Sequence, residues 1–324
     1  MTDGHVRVER EIAGVRLAIE TGQVARQAGG SVIVTLGDSR VFAAVTAGSA
    51  REDIDFFPLF CDYREKTEAG GKIPGGFFKR EGRPTTKETL TMRMIDRSIR
   101  PMFPDGYKQD VQVLTQALQY DGKVNTDVAA MIAGFAAIRI SGLPFETTLG
   151  AVRIGHIDGE LVVWPDDSKR RTESRLDLVV AGHKDGLAMV ESSAKELTEE
   201  ELIDALDLAG RVILEVVELI DELKQKAGKP EIEFVPAEVN ESLKAKVFEY
   251  EERLSAVIRT DGKHQRDEAC RAVRTACITE LTEGCPEGEL KSLTKEIKEF
   301  FHDLQQKVER GCILGGKRVD GRAS

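Results

Sequence analysis

The chain has 324 residues, of which 41% are hydrophobic and 31% are charged, so we expect two or three compact units. It contains neither an apolar run long enough to cross a membrane nor a charged-then-apolar leader, which predicts a soluble cytoplasmic protein without membrane partners. A net charge of −10 argues against a protein that coats nucleic acid over its whole surface. The five cysteines form no zinc-binding pattern, so we expect buried or idle thiols.

The first two hundred residues alternate between strand and helix signals. Runs rich in β-branched residues at 32–36 and 41–45 predict a hairpin, and another strand is predicted from residue 111. Asn125 offers helix-start chemistry before a helix at 128–140. A second set follows, with strands at 151–157, 161–164, 176–181 and 187–192 and a helix at about 200–224. This order predicts an α+β fold in two successive halves.

The signals change after Gly228, where a stretch rich in turn residues predicts a linker. Beyond it, apolar stripes at 243–257, 269–281 and 293–308 predict three short helices in a bundle. Residues 315–324 show no periodicity, and we interpret them as the beginning of a further segment.

Positive charge is concentrated between Arg64 and Arg100. This segment has ten Lys or Arg residues and five acids, a local excess of +5 within an acidic protein. A focused basic patch on an acidic body favours a protein that admits a polyanion at one place only.

The most informative part of that segment is a loop at 73–84. It is rich in Pro and Gly, which predicts a surface position, and it carries two adjacent rings, Phe77 and Phe78. Lys79, Arg80 and Arg83 follow directly, so the loop offers ring faces on which bases stack and cations for phosphates. The pattern indicates single-stranded RNA binding; the alternative is that the rings tuck under their own loop.

A helix is predicted to follow the loop and to run to about Ile99. Thr85 and Glu88 have the spacing of a capping box, which marks its beginning. Arg93, Arg97 and Arg100 lie at positions i, i+4 and i+7, so they share one face and suit an anion that separates their charges. The alternative is an ordinary solvated face that nearby acids neutralise.

Five segments resemble bacterial polynucleotide phosphorylases, and together they extend over nearly the full chain. They are residues 75–84, 93–101, 176–182, 189–192 and 318–322. The resemblance implies an α+β RNase PH-like core with halves at 1–145 and 146–228, a linker at 229–238 and a small all-α helical domain at 239–311. Residues 312–324 would begin a second RNase PH-like core that the chain truncates.

The resemblance also implies a function. Members of that family are homotrimeric rings that shorten RNA from its 3′ end in mRNA degradation, and they use inorganic phosphate as co-substrate and release nucleoside diphosphates. The implied partners are single-stranded RNA, further copies of the chain and other proteins of RNA-degradation complexes; the implied cofactor is Mg²⁺ or Mn²⁺. RNA contacts would come from the loop residues Phe77, Phe78, Lys79, Arg80 and Arg83 and from the helix residues Arg93, Arg97 and Arg100.

The chain departs from the pattern of the family's catalytic cores at two places. Residues 123–126 replace a Gly-Ser-Ser type phosphate cradle, and Val179 stands where a lysine would follow Asp177 by two residues. The resemblance therefore implies an RNA-gripping part without catalytic residues or metal ligands, with the catalytic core and its metal expected beyond Ser324. The alternative is a stand-alone RNA-binding or ring-scaffold protein without catalysis.

Overall fold

The computed structural model describes residues 4–49, 54, 56–77, 79–236 and 238–322. The chain divides into two compact units, Met1–Pro236 and Ala237–Ser324. The first mixes strands and helices, and the second is helical. These observations confirm the predicted fold class, an α+β core followed by an all-α region.

The first half of the α+β unit is built on a six-stranded sheet. Its strands are β1 (Val6–Ile12), β2 (Val15–Thr21), β3 (Gly30–Leu36), β4 (Ser39–Ala47), β5 (Leu59–Glu65) and β6 (Val111–Gln119). Their order is β1-β2-β3-β4-β6-β5, and only β5 and β6 pair in parallel. The predicted hairpin is confirmed as β3 and β4, whereas β1, β2 and β5 were not predicted.

Two helices cover one face of this sheet: α1 (Thr86–Ile99) and α2 (Thr126–Ser141). All residues of α2 except Arg139 are buried, because Ala and Gly let it pack closely on the strands. A Cβ atom on Gly30 of β3 would overlap the carbonyl oxygen of Ala137, so glycine is required at that contact. The helix predicted at 128–140 is therefore confirmed, and Gly142 ends it in the left-handed conformation.

The second half has a four-stranded antiparallel sheet. Its elements are β7 (Gly150–Ile157), β8 (Glu160–Val163), β9 (Leu176–His183), β10 (Gly186–Ala194), α3 (Asp167–Thr172) and α4 (Glu199–Ala227). The strand order is β10-β9-β7-β8, and α4 packs on β7, β9 and α2. All four predicted strands and the predicted long helix are confirmed. One continuous hydrophobic core joins both halves, with α2 near its centre.

The segment after α4 has no regular secondary structure but lies against the first unit. The backbone amides of Lys229 and Ile232 donate to the carbonyl oxygens of Ile140 and Gly142. The ring of Phe234 packs edge-on against Tyr107 at 5.4 Å. Much of the stretch that we interpreted as a linker is therefore held in place.

The helical unit contains four helices in the described residues, so the prediction of three short ones is wrong. They are α5 (Glu241–Phe248), α6 (Glu251–Val257), α7 (Lys263–Leu281) and α8 (Glu287–Leu314). A turn at 249–250 divides the first apolar stripe between α5 and α6. The boundary predicted at 311/312, between the helical domain and a second core, falls inside α8, because this helix runs to Leu314. Cys312 is also buried in the core of this unit.

Candidate nucleic-acid interface

A cleft of about 1180 Å³ lies between α1 and the second sheet. One wall is the exposed side of α1 together with residues 59–61 of β5. The facing wall consists of residues of β9 and β10, among them Asp177, Val179 and Glu191. The cleft is therefore built where the two halves of the α+β unit meet.

The beginning of α1 is fixed by the predicted capping box. The Thr85 hydroxyl accepts from the Glu88 amide at 3.2 Å, and the Glu88 carboxylate accepts from the Thr85 amide at 2.6 Å. The same carboxylate accepts from the backbone amide of Glu65, which ties the helix to the end of β5. Ile95 and Ile99 face the core, so Arg93 and Arg97 face the cleft.

The three arginines of α1 all line the cleft, but they are not equivalent. Within the described residues, Arg93 is neither hydrogen-bonded nor paired with an acid. Arg97 donates to the Glu191 carboxylate at 2.8 Å and to the Val190 carbonyl oxygen. Arg100 binds Asp96 in a bidentate pair at 2.6 and 2.8 Å, and that hydrogen bonding raises its pKa. Arg93 and Arg97 are therefore the guanidinium groups that an anion can reach most readily.

The loop before α1 is strongly exposed. The side chain of Phe77 is 94% exposed, which rules out the alternative that this ring tucks under its own loop. Lys79, Arg80 and Arg83 are exposed as well, although none of them lines the cleft. Phe78 lies outside the described residues.

Contacts on either side of the loop join β5 to α1. Lys87 of α1, which lines the cleft, pairs with Glu65 at the end of β5 at 2.6 Å. Within the loop, Glu81 accepts from both the amide and the hydroxyl of Thr67, which belongs to a short 3₁₀ turn before the loop. The exposed ring of Phe77 is therefore carried by a loop that leads directly into the arginine-bearing helix.

A buried ionic network borders the cleft, and no pattern in the sequence predicted it. The Arg153 guanidinium donates to both oxygens of Asp127, at 2.8 and 3.0 Å, and to Asp177 at 2.9 Å. Arg170 binds the other oxygen of Asp177 and also Asp167. The side chains of Arg153 and Asp127 are only 10% and 5% exposed. Guanidinium groups therefore neutralise the carboxylates that border the cleft.

The amino end of α2 is satisfied by the chain itself. Asn125 caps the helix by accepting from the Asp127 amide, and Asp127 accepts from the Val128 amide at 2.7 Å. The Thr126 hydroxyl lies within hydrogen-bonding distance of Tyr63 and Glu65. A phosphate ion would have to displace these internal acceptors from a helix end that normally attracts anions.

Two further findings concern the described residues. Their His, Cys, Asp and Glu side chains form no group of three that suits a metal ion. None of the described helices combines the length and apolar character needed to cross a bilayer.

Comparison with known proteins identifies the family. Residues 16–144 and 147–212 match domains 1 and 2 of the 3′ exoribonuclease family, and residues 239–323 match the RNA binding domain of polyribonucleotide nucleotidyltransferase. The polyribonucleotide nucleotidyltransferase of Rhodopirellula baltica is 43% identical over 98% of this chain. The enzyme of the same name from Ruegeria pomeroyi is 44% identical over 94% of it. The chain belongs to the polyribonucleotide nucleotidyltransferase family.

The chain spans only part of the polyribonucleotide nucleotidyltransferases that it matches, 42% and 43% of the length of these two relatives. The crystal structure of rice (Oryza sativa) Rrp46 covers 69% of this chain and 96% of its own, with a TM-score of 0.52 and 14% identity. That likeness is one of fold.

Proposed function

We propose that this chain is the RNA-gripping, non-catalytic part of a phosphate-dependent 3′-to-5′ exoribonuclease. The whole enzyme would be a cytoplasmic homotrimer that releases nucleoside diphosphates in mRNA degradation. One observation carries the proposal: Arg93 and Arg97 line a large cleft, and the loop that leads into their helix exposes the ring of Phe77 almost completely.

Single-stranded RNA has the chemistry that this arrangement recognises. Its phosphates suit the planar guanidinium fork, and its unpaired bases stack on exposed aromatic rings. A ring at the loop and two guanidinium groups in the cleft would hold a strand at successive nucleotides. Neither contact reads a sequence, which suits an enzyme that shortens many RNAs.

The buried network supports the non-catalytic part of the proposal. A catalytic divalent ion needs carboxylate oxygens that are free to coordinate it, whereas Arg153 and Arg170 occupy those of Asp127 and Asp177. Val179 borders the cleft with an apolar side chain where a lysine would supply charge. Mg²⁺ or Mn²⁺ and the phosphate co-substrate would therefore bind in another core of the full-length enzyme.

Fluorescence anisotropy with a labelled single-stranded RNA tests the proposal. The double variant Arg93→Ala/Arg97→Ala should bind RNA at least about a hundredfold more weakly, because two charge-assisted contacts of about 1.5–3 kcal/mol each are lost. Lys108→Ala/Lys184→Ala is the matched control, since both lysines are exposed and do not line the cleft. Equal affinities of the two double variants would refute the proposed role of the cleft.

A further inference from the structure

The helical unit has a polar groove of its own. It has a volume of about 220 Å³ and lies between α7 and α8. Arg266, Arg271 and Arg274 of α7 line it, and α8 contributes Glu309. Among the described residues, no aromatic side chain lines this groove. It therefore offers charge and hydrogen-bond donors, but no surface on which a base can stack.

Arg271 and Arg274 lie three positions apart on one side of α7. Like charges at this spacing repel each other by roughly 0.2–0.5 kcal/mol. Within the described residues, neither guanidinium pairs with an acid or donates a hydrogen bond. Elsewhere in the unit, Arg253 pairs with Glu280 at 3.1 Å. The two groove arginines thus keep their donors available to a ligand.

The other residues that line the groove leave it with a net positive charge. Arg266 donates to the carbonyl oxygen of Val319, which is neutral, so its charge is not cancelled there. Burial raises the pKa of Cys270, and its thiol adds no negative charge at neutral pH. Three guanidinium groups therefore face two carboxylates, those of Asp267 and Glu309.

We infer that this groove binds phosphate groups of a single-stranded RNA backbone. The inference rests on the proposed function and names the surface through which the helical unit contributes to it. Guanidinium forks bind phosphate oxygens in pairs, and a groove without aromatic walls holds the backbone whatever the bases are. Arg271 and Arg274 make the contacts, while Glu309 weakens them by repelling the same phosphates.

The first test compares two double variants of the full chain by anisotropy with single-stranded RNA at several salt concentrations. Arg271→Ala/Arg274→Ala should weaken binding roughly tenfold at low salt and lower the slope of log affinity against log salt by about 1.4, for two lost phosphate contacts. Lys291→Ala/Lys298→Ala removes the same charge from exposed positions outside the groove and should change the slope less. Matching slopes for the two variants would overturn the inference.

A second variant reverses the sign of the effect. Glu309→Gln keeps the shape of the side chain that accepts from Gln305 but removes its charge. RNA affinity should rise about twofold to threefold, as expected when one like-charge repulsion near a surface is removed. Unchanged or weaker binding by this variant contradicts the inference.

Competition separates a backbone site from a site for free anions. Bound RNA should be displaced by a base-free ribose-phosphate oligomer, and not by inorganic phosphate at the same phosphate concentration. Equal displacement by both would overturn the assignment to an RNA backbone. If Arg93→Ala/Arg97→Ala weakens binding and Arg271→Ala/Arg274→Ala does not, the groove is refuted and the proposed function stands. The opposite pattern refutes the cleft and supports the groove.

Discussion

The guanidinium of Arg97 lies 2.8 Å from the carboxylate of Glu191 and joins α1 to β10 across the cleft. The two side chains are 52% and 57% exposed. One of the two accessible guanidinium groups of the cleft is thus engaged by an acid of the opposite wall. A phosphate must compete with that acid.

Removal of the Glu191 charge should therefore strengthen RNA binding. An exposed ion pair contributes about 0–1 kcal/mol, so we expect Glu191→Gln to raise affinity by up to about fivefold. Glu160→Gln, an exposed acid on β8 that does not line the cleft, is the control. Titration of both variants with labelled RNA measures the difference, and weaker binding by Glu191→Gln would contradict this role of the ion pair.

The salt dependence of RNA binding should distinguish the contribution of the Phe77 ring from that of the cleft arginines. Loss of one phosphate contact in Arg93→Ala should reduce the salt slope of RNA binding by about 0.7. Loss of one stacked base in Phe77→Ala should cost about 1–3 kcal/mol at every salt concentration and leave the slope unchanged.

In the full-length enzyme, Arg93→Ala should impair the reaction more, and Phe77→Ala should mainly reduce processivity on long RNA. Equal losses on short and long RNA for both variants would count against these roles.

Removal of one partner from the Arg153 network should strongly destabilise the fold. Replacement of one partner of a buried ion pair leaves an unpaired charge, so Arg153→Met should lower the free energy of unfolding by about 3–5 kcal/mol. Arg171→Ala breaks a more exposed pair with Asp167 and should cost less than about 1 kcal/mol. Urea denaturation of both variants measures the two losses. A loss below 1 kcal/mol for Arg153→Met would show that the network is not held as described.

The capping box predicts a pH dependence. Burial acts to raise the pKa of Glu88, but hydrogen bonds from the amides of Thr85 and Glu65 outweigh it, so the pKa falls below the ordinary value of 4.5. Glu88→Gln should cost about 1 kcal/mol at pH 7. Because the folded pKa is depressed, this difference should persist above pH 4.5 and disappear as pH falls through the folded value. Denaturation from pH 7 to pH 3 measures it, and a difference independent of pH would contradict the account.

Local signals in the sequence predicted α1 well. The Thr85 and Glu88 spacing located its beginning, and the spacing of Arg93 and Arg97 gave their common face. The pairing of Arg100 follows from the same kind of local signal, because Asp96 lies four positions before it and Arg100 keeps helical backbone angles at the end of α1. The third arginine of the predicted face is therefore already bound, as the alternative of a face neutralised by nearby acids had allowed.

Contacts between distant elements could not be read from the sequence. Asp127, Arg153 and Asp177 belong to a helix and two strands, and only the folded sheet brings them together. In the same way, Glu191 faces Arg97 because β10 lies beside α1. The hairpin of β1 and β2 turns at Ala13 and Gly14, which both have positive φ, and Gly14 is the local sequence signal for that turn.

A single assay tests the central claim that this chain grips RNA without cutting it. Purified chain is mixed with labelled single-stranded RNA, Mg²⁺ and inorganic phosphate; anisotropy reports bound RNA while chromatography measures nucleoside diphosphates. We expect RNA to be bound and no nucleoside diphosphate to form. Phosphate-dependent release of nucleoside diphosphates, abolished in Arg93→Ala/Arg97→Ala, would contradict the account.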